Sequence, residues 1–260
     1  MSYRNYSTAN GYIVDPTGNG DFTTIQAAIT AATSVKTIFI KPGTYTENLT
    51  LKPFVNLVSS VGNDFSGNVE IIGNSTFSGV GVVSITGIRL RTNSSNLLTV
   101  SGSSLSIVNL DNCYLNCLNA TGISYTSSDA TSFIRINNCA GNLGTTGIAL
   151  FDSTSAGLIT INYSKFTNTG ASTTPNTISA GSLSVKWSTF TNPTTSSGTS
   201  SFNVDCSEFD TSVQNTTPIT IGGSGNNGHL NSFYSGGTAS AVSISSALTI
   251  HQSTFSSSNA

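Results

Sequence analysis

Asp205, Glu208 and Asp210 form the densest group among the eleven acidic residues of this 260-residue chain. Acid- and base-assisted cleavage of a glycosidic bond needs two carboxylates set roughly 5–10 Å apart. On extended backbone, Asp205 and Glu208 can meet that spacing, and with Asp210 they are the candidate catalytic group. A plainer role competes with it. Lys186 occupies the position equivalent to Asp205 one repeat earlier, which predicts a solvent-exposed ion pair. Asp111 shares that position four repeats away, about 19 Å at a strand spacing of about 4.8 Å, too far to cooperate.

Tyr114, Tyr163 and Trp187 are the candidate ligand-binding residues. An exposed ring offers the apolar face on which a sugar stacks; the same rings suit cover for a loop or a neighbouring subunit. His229 and His251 stand in no recognisable motif, and neither a Ser-His-Asp order nor G-x-S-x-G occurs. Cys113 and Cys117 lack a second pair and a nearby histidine, which argues against zinc. Gly18-Asn19-Gly20 lacks the rest of a phosphate-binding motif and reads as a turn. No cofactor and no metal are expected.

The elements that hold these residues announce themselves by repetition. The octets "VSITGIRL" (83–90), "VNLDNCYL" (108–115), "IRINNCAG" (134–141), "ITINYSKF" (159–166), "LSVKWSTF" (183–190), "FNVDCSEF" (202–209) and "LTIHQSTF" (248–255) share one template, with a degraded copy, "HLNSF", at 229–233. Slots one, three, six and eight hold inward-facing residues. Taking Leu230 as the third slot of the degraded copy, the repeat averages about 24 residues, in the range of a parallel β-solenoid. Side chains alternate along a strand, so inward slots at three and six demand a bend at four and five. Asn112 and Asn138 occupy the fifth slot, where their tolerance of left-handed backbone allows a sharp corner. Cys113 and Cys139 share the sixth slot in adjacent coils, followed by Ser164, Ser188, Ser207 and Ser253. This reads as an interior ladder of small residues, whose spacing also permits a disulfide; free buried thiols are the expectation.

"TTIQAAITAA" (23–32) is the one amphipathic helix, with Ile25, Ala28, Ile29 and Ala32 in a single stripe. Thr23 fits the N-cap, Gln26 the reciprocal position of a capping box, and Asp21 the positive end of the helix dipole. The helix is expected to close the open end of the first coil. "IFIKPGTY" (38–45) fits the template as that coil, with Ile38 and Ile40 inward, Lys41-Pro42 at the corner and Tyr45 in the eighth slot. The predicted architecture is an all-β, single-stranded right-handed parallel β-helix with a short N-terminal capping helix. An arm and turn over 1–22 precede one domain over 23–260, made of the helix cap at 23–33 and coils over 37–260.

The corner-bearing repeat resembles the β-helix of the pectin lyase-like superfamily over most of the chain. "GDFTTIQAAI" with "IFIKPGTYTENL" resembles the start of pectinesterases. That resemblance implies two aspartates, a glutamine pair and an arginine on later outward strands, in elements similar to G-x-Q-A-V-A, Q-D-T-L and V-D-F-I-F-G. None is present; "DNCYLNC" (111–117) continues as "LNATG". The resemblance therefore implies fold and not catalysis. "GNLGTTGIALF" (141–151) looks similar to phage-type β-helix sequence, which implies a tail-fibre or tailspike role and, by the same resemblance, a trimer.

Composition agrees with a surface-type protein. Charged residues make up 8% of the chain against roughly 25% in an ordinary domain. The net charge of −2 gives no electrostatic case for nucleic acid or an anionic membrane. "MSYRNYSTANGYIV" lacks the layout of a signal peptide, and no apolar run approaches the ~20 residues of a membrane span. A virion or extracellular location is expected. The last octet ends at Phe255 without a capping segment, from which a longer parent protein or a covering subunit is expected. The leading function is a non-catalytic structural or receptor-binding protein contacting cell-surface polysaccharide. A polysaccharide-active enzyme with a divergent site, or a bacterial adhesin fragment, are the alternatives.

Overall fold

Branched and aromatic side chains alternating with Ser, Thr and Asn favour extended backbone, and here they build strands that stack coil on coil. The computed structural model describes residues 11–33, 35–62, 68–92, 95–118, 120–144, 149–168, 174–198, 200–211, 219–221, 226–229, 232–235, 241–245 and 248–257. They form three all-parallel sheets of 11, 10 and 9 strands. The chain is an all-β parallel helix, as the repeat predicts. Each octet supplies a first-sheet strand, a corner, and the start of a second-sheet strand; the third sheet closes the coil.

The third slot is continuous in register through Ile38, Leu57, Ile85, Leu110, Ile136, Ile161, Val185 and Val204. This corrects the octet at 38–45: Ile38 rather than Ile40 holds the third slot, while Tyr45 keeps the eighth, because the first coil carries two more residues between those slots. The next residue in that column is Gly228, followed by Ile250. This corrects the placement of Leu230, which lies outside the described residues. Phe233 pairs with Phe209 and Phe255 in the eighth slot, and that register fixes the third slot five residues earlier. A glycine carries no apolar signal, so the neighbouring leucine attracts the alignment.

The core runs along the axis. Val83, Ile85, Ile88, Val108, Leu110, Leu115, Ile134, Ile136 and Ile161 are fully buried. In later coils the eighth slot is a column of phenylalanines, with ring centroids 5.6 Å apart for Phe166 and Phe190, 5.2 Å for Phe190 and Phe209, and 5.8 Å for Phe209 and Phe233. Gly141 begins this column for a steric reason. A Cβ there would lie 2.6 Å from the Leu115 carbonyl oxygen and 2.8 Å from the Phe166 ring.

At the N-terminal end the first sheet starts earlier than the template reaches. Gly11–Val14 pairs in parallel with Lys36–Ile40, a strand too short to show periodicity. The helix spans Ile25–Ala31 and buries Ile25, Ala28 and Ile29. Its N-cap is Thr24, whose hydroxyl accepts from the Ala27 amide at 3.4 Å. This corrects the assignment of Thr23: two threonines in succession offer the same hydroxyl, and only the backbone trajectory selects one. Gln26 is not part of a capping box. Its Oε1 accepts from the Thr50 amide at 2.8 Å.

The free helix amides are met by Glu47 instead. Its two carboxylate oxygens accept from Ile25 N at 2.8 Å and Gln26 N at 2.9 Å. Lys52 Nζ donates to the Ala32 and Thr30 carbonyls at the other end, so a carboxylate and an ammonium complement the two poles of the helix dipole. Asp21 turns away from the helix and accepts from the Ile13 amide at 2.8 Å.

Candidate functional site: the corner ridge

The tight corner is built from backbone geometry. Asn112, Asn138, Tyr163, Trp187, Cys206 and Gln252 all carry φ between 46° and 53°, and Gly87 has φ 71°. Every one of them is the fifth slot of its coil. From Asn112 to Trp187, each fifth-slot amide donates to the fourth-slot carbonyl of the next coil: Asn112 to Asn137, Asn138 to Asn162, Tyr163 to Lys186, and Trp187 to Asp205, at 3.0–3.1 Å. The ladder of hydrogen bonds thus passes through the bend unbroken.

The sixth slot locks the corner from inside. Cys113 N donates to Cys139 Sγ, Cys139 N to Ser164 Oγ, Ser164 N to Ser188 Oγ, and Ser188 N to Ser207 Oγ, at 3.1–3.4 Å. Each serine hydroxyl in turn donates to the fourth-slot carbonyl of its own coil at 2.7–2.8 Å. The cysteines do the same more loosely, at 3.4 Å for Cys113 and 3.2 Å for Cys139. All four cysteines are free, and Cys113, Cys117 and Cys139 are buried. Burial pushes the Cys117 thiol up to about 12. The hydrogen bond with Cys113, reinforced by burial, raises that of Cys139. Both stay protonated, and Cys139 serves as a ladder rung rather than a nucleophile.

With the backbone fixed from within, fifth-slot side chains point outward. Tyr163 is 65% exposed and Trp187 58% exposed, on adjacent coils. Beside them runs the fourth slot, a polar rail. Asn137 Nδ2 donates to Asp111 Oδ1 at 3.1 Å, and Asn162 Nδ2 to Asn137 Oδ1 at 2.9 Å. Lys186 and Asp205 continue the rail as an exposed ion pair at 3.4 Å, as the shared slot predicts. In the fifth slot, Asn138 Nδ2 also donates to Asn112 Oδ1. The result is a strip two residues wide along the axis, with amides and charges beside two bare rings.

The structure divides the other candidates. Tyr114 is not on the ridge: it faces outward on the second sheet, where the Arg89 guanidinium lies 4.9 Å from its ring centroid. Glu208 and Asp210 also face outward from the second sheet, on strand Glu208–Thr211, while Asp205 stays on the rail with Lys186. The side chains of His229 and His251 lie outside the described part of the molecule; their backbones are in register with each other. Residues 145–148 of the phage-like stretch also fall outside the described residues. Glu47 and Arg89 carry no local sequence signal and emerge only with the fold.

No protein-family model and no curated protein sequence matches the chain. Solved structures similar in fold include two of a pectin methylesterase. One is a deglycosylated pectin methylesterase from Aspergillus niger, with 12% identity, a TM-score of 0.56, and 97% of this chain and 88% of that one covered. The other is the same enzyme at its penultimate stage of deglycosylation, with 12% identity, a TM-score of 0.53, and 99% and 88% covered. At this identity the likeness is one of fold, and it extends over nearly the whole solenoid.

Proposed function

We propose that this chain is a non-catalytic structural and receptor-binding protein of the virion tail-fibre or tailspike type, and that its corner ridge contacts cell-surface glycans. The observation that carries the reading is the state of Tyr163 and Trp187. Left-handed backbone disfavours large side chains, and earlier coils use glycine or asparagine at the same slot. Exposure of both rings brings little burial energy in return. A bulky aromatic held where folding does not favour it points to a role outside folding. The rings are one coil apart, roughly 4.8 Å, the order of the sugar-to-sugar repeat of an extended polysaccharide. Amides and the Lys186–Asp205 pair lie alongside for the hydroxyls. The charge-poor surface supports the virion assignment, and by resemblance the assembly is a homotrimer.

A second reading, a polysaccharide-active enzyme, is favoured by the two outward carboxylates of Glu208 and Asp210 on one strand. One experiment separates the two. The protein is incubated with bacterial surface polysaccharides and with pectins, and both retention and newly formed reducing ends are measured. Retention without new ends, weakened in Trp187→Ala and Tyr163→Ala, is expected. Release of reducing ends that disappears in Glu208→Gln establishes the enzyme instead.

A further inference from the structure

A second feature lies on a different face and does not depend on the ridge. Two of the chain's four arginines, Arg89 and Arg91, occupy alternate outward positions of strand Arg89–Thr92, with Leu90 buried between them. The next coil sets Tyr114 beside Arg89 and Asn116 beside Arg91. One coil further, Asn142 continues the column of Asn116. Arg89 packs over the Tyr114 ring, which holds its guanidinium in place.

The group is incomplete as it stands. Neither arginine has an ion-pair partner among the described residues, although Glu70 is in register with Arg89 one coil back. The Nε atoms of both arginines and Oδ1 of Asn116 are shut off from solvent with no hydrogen-bond partner. Buried polar atoms are rarely left unsatisfied, and here three of them fall within one small patch. In a chain with only nine cationic residues, two adjacent unpaired arginines are a concentrated positive site.

We propose that Arg89 and Arg91, flanked by Tyr114 and Asn116, bind an oxyanion carried by a glycan, either a carboxylate or a sulfate ester. The planar guanidinium fork matches such groups through paired N–H···O bonds. Asn116 and Asn142 extend the patch with amides suited to sugar hydroxyls. A nucleic acid is a poor fit, because tight binding there rests on many phosphate contacts and the patch offers two cations on a chain of net charge −2.

Affinity electrophoresis of the intact chain in gels containing hyaluronan, dextran sulfate or neutral dextran tests this. Retardation by hyaluronan alone assigns a carboxylate, by dextran sulfate alone a sulfate, and by both their shared oxyanion chemistry. In each case Arg89→Gln/Arg91→Gln is expected to weaken binding by tenfold or more. Arg135→Gln, on another sheet, leaves it unchanged. Arg89→Lys/Arg91→Lys keeps the charge and the aliphatic stems but loses the fork, and is expected to bind several-fold more weakly while melting as the native chain does. The proposal is overturned if neither charged polymer retards the native chain, if neutral dextran does so equally, or if either double variant binds like the native chain.

Discussion

Glu47 Oε1 lies 2.8 Å from the amide nitrogen of Ile25, and this bond joins two stretches that look independent in the sequence. The helix at 25–31 and the segment at 47–52 form one capping unit: Glu47 closes one end of the helix, Lys52 the other, and Gln26 pairs with Thr50 between them. "GDFTTIQAAI" and "TYTENLTLK" therefore belong together because the second supplies the first with its caps. Replacing Glu47 with Ala is expected to cost about 1–2 kcal/mol, with Glu47→Gln retaining part of it. Thermal unfolding measures the loss, and a midpoint unchanged in Glu47→Ala would refute the capping role.

Ser188 accepts from the Ser164 amide and donates to the Lys186 carbonyl. Ser188→Ala leaves a buried amide without a partner, a loss of about 1–3 kcal/mol. Ser188→Cys is expected to cost less, because Cys113 and Cys139 already serve as rungs of the same ladder. Equal destabilisation by both variants in denaturant titrations would count against it.

Gly141 has no room for a side chain between Leu115 and Phe166. Gly141→Val forces the backbone or the phenylalanine column to shift, an overpacking cost of about 1–3 kcal/mol. The paired variant Gly141→Val/Phe166→Leu should recover part of that loss in a double-mutant cycle.

Trp187→Asn exchanges a bulky left-handed residue for one that tolerates the conformation. Its stability should stay within about 1 kcal/mol of the native value, while, on the proposed glycan-binding role, retention on a bacterial surface polysaccharide falls. A midpoint lowered as far as by a core truncation would show Trp187 to be a packing residue.

Asp15 titrates at about 2, below its ordinary 3.8, chiefly because Lys41 Nζ hydrogen-bonds it at 2.8 Å and Thr17 adds a second bond. A carboxyl lowered in the folded state favours folding while it is ionised. That contribution is complete above about 3.8 and fades as pH falls toward about 2. The melting temperature should therefore drop across this interval, and Lys41→Met should flatten the drop. An identical acid profile for the variant would exclude the pair as its source.

The repeat was legible because the third and eighth slots stay apolar in most coils while asparagine marks the corner twice, at Asn112 and Asn138. The ladder of Cys113, Cys139 and the serines was legible for the same reason, and so was the Lys186–Asp205 pair. Gly228 was not, because a solenoid is held by register and one coil can lose its apolar signal without losing its place. The choice of Thr24 over Thr23 depended on backbone direction, which adjacent identical residues hide. Glu47 reaches the helix across more than twenty residues of chain, and Arg89 meets Tyr114 only once the coils are stacked. Contacts of this kind have no local pattern to read.

The corner is fixed by its buried rungs and its backbone bonds, and the fifth-slot side chain takes no part in either. That separation has an evolutionary consequence. The column running through Asn112, Asn138, Tyr163, Trp187 and Cys206 can exchange side chains at the local cost of its left-handed backbone, without breaking the rungs and backbone bonds that hold the corner. On the proposed receptor-binding role, recognition can be rewritten one coil at a time, each step selected on its own merit.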